Sequence, residues 1–105
     1  MQITVKKEDW DLARQITSST EFLFSTEYNI LYPCSCAVAQ AVKRKYPDGY
    51  LHFVGNMSLV YEEVRYTPTS EWDLDIFGKM VRDFDLNYPW PFSDSAKITL
   101  DLEPV

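Results

Sequence analysis

At 105 residues, 46% of them hydrophobic and 15% aromatic, the chain has the commonest domain size and lies well outside the disordered regime. It contains no run of about 18 apolar residues, which excludes a membrane-spanning helix, and Met1-Gln2-Ile3-Thr4-Val5-Lys6 lacks the layout of a signal peptide. The net charge of −6 is uneven: residues 1–50 balance, whereas residues 51–105 carry ten acids against four bases, which disfavours direct binding to a nucleic-acid backbone.

Ile3 and Val5 alternate with polar neighbours, which predicts a short first strand. Lys7 to Thr17 reads as a helix with Glu8, Asp9 and Asp11 in the first turn, where the dipole favours anions, and with Trp10, Ala13, Arg14 and Thr17 on one face. Ser18-Ser19-Thr20 breaks it, and residues 21–32 read as an ordered connection. Pro33 and Ser35 suit the start of a second helix. Its stripe, Cys34, Val38, Ala41, Val42 and Lys45, leads into Lys43-Arg44-Lys45, cations that complement the dipole at the last turn. Pro47-Asp48-Gly49 ends it.

Leu51–Val54, Ser58–Tyr61 and Val64–Thr67, separated by Gly55-Asn56 and Glu62-Glu63, predict an antiparallel meander. Ser70 followed by Asp73 resembles a capping box. Phe77, Met80, Val81 and Phe84 form the strongest helical stripe, ending near Asn87. Tyr88-Pro89-Trp90-Pro91-Phe92 is a rigid aromatic crossing, either a plug for the core or an exposed anchor. Ile98, Leu100 and Leu102 alternate with polar residues in a last strand with one wet face. The fold class expected is α+β: a small antiparallel sheet with three helices, order β-α-α-β-β-β-α-β, in a single domain over residues 1–105.

Catalytic equipment is lacking. His52 is the lone histidine, no G-x-S-x-G elbow accompanies it, and a Cys–His pair requires the fold to bring Cys34 or Cys36 to it. Two cysteines are too few for a disulfide framework, and a bridge across one residue is strained; reduced thiols in a cytoplasm are the simpler reading. Zinc would need further soft ligands, so neither a metal nor a cofactor is expected. Glu62/Glu63, Asp73/Asp75 and Asp83/Asp85 do not share helix faces pairwise, which makes them a solvated surface, with Lys79 spaced to pair with Asp75 and Asp83.

Cys36-x-Val38-Ala39-Gln40-Ala41-Val42-Lys43-Arg44, the hairpin ending Val64-Arg65-Tyr66-Thr67-Pro68, and Val81-Arg82-Asp83-Phe84-Asp85 leading through Pro91-Phe92 to the last strand together resemble a diffuse family of small phage and prophage accessory proteins. The resemblance spans most of the chain, residues 18–32 departing from it as an insertion. It implies an anti-defence role of the kind filled by certain anti-CRISPR proteins, which set carboxylates where a target expects phosphates. The expectation is a non-catalytic acidic protein of the cytoplasm that inhibits a host defence or nucleic-acid-processing complex through a basic surface on its target. Its partner-binding residues would be Glu62, Glu63, Asp73, Asp75, Asp83, Asp85, Trp72, Tyr88 and Trp90, with the surplus acids gathered on one outward patch. The alternative is a homo-oligomeric structural or regulatory accessory protein, such as a homodimer, associating through exposed aromatics.

Overall fold

Alternation in the first and last strands buries Ile3 and Val5 of one and Leu100 and Leu102 of the other on the same face, and the two strands pair directly. A computed structural model describes residues 1–17 and 36–105. Its elements run β1 (Gln2–Lys6), α1 (Lys7–Thr17), α2 (Ala37–Lys45), β2 (Leu51–Val54), β3 (Leu59–Tyr61), β4 (Val64–Pro68), α3 (Glu71–Asp85) and β5 (Lys97–Pro104). This is the expected α+β order. The strands form one antiparallel sheet in the order β1-β5-β4-β3-β2. The connection expected at 21–32, and the helix start at Pro33, Cys34 and Ser35, lie outside the described residues.

The shape of the sheet follows from α2. That helix packs against both outermost strands, β1 and β2, as well as against α1 and α3. Five flat strands would hold the outermost pair about 19 Å apart, whereas a helix is only about 10–12 Å across. The sheet therefore curls around α2. Residues Ala37 to Val42 are consequently buried on every side, not along a single stripe. Alanine at 37, 39 and 41 lets the neighbouring elements approach closely. Lys45, placed in the stripe by its spacing, is instead exposed, and Cys36 occupies the N-cap position, where its side chain does not cap the helix.

The cap of α3 is half of a capping box. Ser70 Oγ accepts from the Asp73 amide at 3.1 Å, but the Asp73 carboxylate turns away to the Asp101 amide at 3.4 Å, tying the helix start to β5. At the other end Asn87 takes a φ of 63°, the Tyr88 amide reaches the Asp83 carbonyl, and the Asn87 amide reaches that of Phe84. That is a Schellman motif with asparagine in the left-handed position.

In β2 the expected alternation fails. His52 and Phe53 are both exposed, because the pairing register with β3 shifts between Leu51 and Phe53. Leu51 and Val54 stay inward as a result. Two glycines sit at close approaches. A Cβ on Gly49 would lie 1.7 Å from the Tyr61 hydroxyl, and one on Gly78, inside α3, 3.0 Å from the Asn56 carbonyl oxygen.

The outer edge of β1 is closed by side chains. The Tyr46 hydroxyl bonds the Gln2 amide and carbonyl, Arg44 Nη2 donates to the Thr4 carbonyl at 2.6 Å, and Asp9 Oδ2 accepts from the Lys6 amide at 2.9 Å. Asp9 is buried and ion-paired to Arg44. The α1 acid assigned to the dipole is therefore a hub that joins β1, α1 and α2.

Candidate partner-binding surface

Four ion pairs are formed among the described residues: Lys7–Asp11, Arg44–Asp9, Lys79–Asp83 and Arg82–Asp83. Asp83 is buried and holds Lys79 at 3.1 Å and Arg82 at 3.9 Å. It therefore leaves the set of outward acids: its carboxylate is covered and its charge offset by the two cations. Lys79 chooses Asp83 over Asp75, which stays exposed and unpaired among the described residues.

The remaining acids do not make one patch. Glu62 and Glu63 occupy the tip of the β3–β4 hairpin. Asp73, in the first turn of α3 with Glu71, accepts from the Asp101 amide of β5, whose carboxylate accepts from Gln2 Nε2 at 2.9 Å; Glu103 lies two residues further along β5. Asp85 sits at the far end of α3, about 21 Å from Glu71 at 1.5 Å per residue. Thr67 pairs with Glu103, which places the hairpin tip about 15 Å from that residue along β4. The single outward patch expected from the charge count is thus resolved into separate groups. The element directions cause this, because α3 carries acids at both of its ends and the hairpin tip extends beyond the acidic end of β5.

The hairpin tip is conformationally unusual. Glu62 and Glu63 have φ values of 49° and 67°, both left-handed, and so form a type I′ turn at positions that normally hold Asn and Gly. Glu62 is anchored there: its amide donates to the Tyr50 carbonyl at 2.9 Å and its carboxylate accepts from the Tyr50 amide at 3.0 Å. Glu63 has no such anchor among the described residues. Glu63→Gly should therefore stabilise the fold by about 1 kcal/mol, read as a higher urea midpoint at unchanged m-value.

The aromatic crossing divides between its two readings. Trp90 is buried, with its ring edge-on to Trp10 at 5.6 Å and to Phe92 at 5.1 Å, and its indole N–H donates to the Ser93 carbonyl at 2.8 Å. It plugs the core between α1 and α3 and is removed from the contact set. Trp10 in turn stands edge-on to Phe84, and Arg14 lies over the Phe84 ring at 3.9 Å while donating to the Tyr88 carbonyl. Tyr88 itself is exposed. Trp72, on the second residue of α3, is 72% exposed, the most solvent-accessible aromatic ring on the described surface.

Asp85 is exposed at its surface, yet desolvation against the end of α3 holds its carboxyl above the usual range, with Arg14 pulling it partway back. Ionisation is thus harder in the folded than in the unfolded chain. The penalty is present at neutral pH and disappears as pH falls below both pKa values. Asp85→Asn should accordingly raise Tm at pH 7 and leave it unchanged well below the unfolded value of about 3.9.

His52 is exposed on β2 with its ring edge-on to Tyr50 at 4.6 Å, whereas Cys36 is buried at the start of α2. Cys34 lies outside the described residues. Among the described residues no group of three His, Cys, Asp or Glu side chains is arranged to hold a metal ion, and no helix is long and apolar enough to cross a membrane. Comparison with protein-family models, curated proteins and solved structures finds no match to this chain.

Proposed function

We propose that the protein is a non-catalytic binding module that presents Trp72 and the carboxylates around it to a cationic surface on a macromolecular target. The observation that carries this reading is the exposure of Trp72 beside Glu71, Asp73 and Asp75, with Asp101 and Glu103 on the adjoining strand, none of them in an ion pair among the described residues. An exposed tryptophan is a strong interface anchor, and its ring face attracts Lys and Arg side chains. Flanking carboxylates steer a basic partner and reject an acidic one. The target class that fits is a host defence or nucleic-acid-processing protein whose basic groove otherwise holds phosphates, with the chain acting as a phage-type, anti-CRISPR-like inhibitor in the host cytoplasm. Glu62 and Glu63 on the hairpin, with Asp85 and Tyr88 at the other end of α3, would serve as outlying contacts.

The immobilised chain should capture a basic host protein from lysate, with an affinity that falls steeply between about 50 and 500 mM salt as screening shortens the reach of the carboxylates. Trp72→Ala should weaken that complex by roughly thirtyfold, and Glu71→Lys with Asp75→Lys should abolish it. An affinity indifferent to salt and to all three changes would refute the proposal.

A second reading, self-association, draws on exposed Phe53, Met57 and Leu86. Sedimentation at micromolar concentration separates the two: a monomer excludes it.

A further inference from the structure

Lys6 and Lys97 stand directly opposite each other across the β1–β5 ladder. Both side chains point away from the core, since their neighbours Val5 and Ile98 pack inward. Like charges in this position repel, and neither ammonium forms an ion pair among the described residues. Asp9, the acid nearest Lys6 in the hydrogen-bond network, uses one oxygen on the Lys6 amide and the other on Arg44. Lys6, Lys97 and Arg44 line a common cleft of about 540 Å³. Glu8 and Asp94 also border it, at its rim beside Lys7, which holds Asp11 at 2.8 Å. Arg44 donates through Nη1 to Asp9 and Nη2 to the Thr4 carbonyl, so part of its five-donor fork is still open.

We infer that this cleft binds a small phosphate-class dianion, either inorganic phosphate or the head of a phosphomonoester, between Lys6, Lys97 and Arg44. A dianion converts the lysine repulsion into two charge-assisted hydrogen bonds. The volume accommodates an organic group beside the phosphate. The site is distinct from the Trp72 surface, which lies at the opposite, acidic end of β5, and stands whether or not that surface binds a partner.

The test is a titration of the full chain with inorganic phosphate at fixed pH and ionic strength, with chloride as the reference, read by amide chemical shifts and Tm. Saturable shifts are expected at Lys6, Ala96 and Lys97, with a rise in Tm beyond that in chloride. Lys97→Gln should raise Tm in phosphate-free buffer, because it removes the like-charge contact. It should also weaken phosphate binding about tenfold. These opposite signs separate a ligand site from a merely structural lysine. Lys45→Gln, in the same basic run as Arg44 but away from the cleft, should respond to phosphate as the parent does. Tighter binding of phenyl phosphate than of inorganic phosphate would assign a monoester, and equal affinity the free ion. Phosphate acting no differently from chloride, or a Lys6→Gln/Lys97→Gln variant that responds like the parent, overturns the inference.

Discussion

Phe77→Ala should remove about 3–5 kcal/mol of stability, the largest single-residue loss expected anywhere in the described core. Phe77 is the largest side chain with no solvent exposure, and it sits at the centre of the α3 stripe that packs on α2, β4 and β5. The lost ring leaves a void that α2 cannot fill, because that helix is already held by the sheet on both sides. A domain of this size has a total stability of roughly 5–15 kcal/mol. At about 4–8 °C per kcal/mol, the melting temperature should fall by tens of degrees. Trp72→Ala provides the internal contrast. It removes a larger ring from the same helix, yet from a solvated position, and should change stability by no more than about 0.5 kcal/mol. Urea denaturation of the two variants checks both statements, and comparable losses would contradict the burial assigned to them.

Asp9→Ala should remove about 3 kcal/mol, although the residue is a first-turn helix acid of a kind usually worth a few tenths. Three things fail together. The Lys6 amide loses its acceptor, Arg44 loses the charge that fixes it, and the Thr4 carbonyl loses a donor once Arg44 is free. Arg44→Met should be costly for the complementary reason, since it leaves a buried carboxylate unpaired. The double variant Asp9→Leu/Arg44→Met should be less destabilised than the sum of the two single changes, because apolar replacement of both partners of a buried pair is often close to neutral. Additivity in that cycle would show that Asp9 and Arg44 act independently.

These two residues mark what could be read from the chain and what could not. Phe77 announces itself: Phe77, Met80, Val81 and Phe84 recur at helical spacing, Ser70 caps them and Asn87 ends them, and each of these features is local. The order of the elements was legible for the same reason. Asp9 was hidden because its meaning depends on Arg44, 35 residues on. The one local hint was its place three residues after Lys6, where a capping-box acid reaches back to the helix entrance. Arg44 was likewise assigned to the helix dipole, although it serves the edge of β1. The irregularity in β2 left no trace in an apparently alternating Leu-His-Phe-Val, since register belongs to the pairing of two strands and not to one. The separation of the acids was invisible for a similar reason: charge counts carry no direction. Of the two aromatics flanking Pro89, only Tyr88 faces solvent, a distinction that depends on Trp10 and Phe92 arriving from elsewhere in the chain.

The pairing of Gln2 with Asp101 and of Lys6 with Lys97 also dictates an order of events during synthesis. β1 is translated well before the strand it bonds to, so Ile3 and Val5 have no sheet partner until β5 has left the ribosome. At about 5–20 residues per second that wait lasts some seconds. During that time a nascent chain carries an apolar strand, and α2 has only part of its wall. Folding is therefore a late closure around a central helix, with the many-residue contacts that slow such reactions, and nascent chains stalled before β5 should engage holding chaperones through Ile3 and Val5.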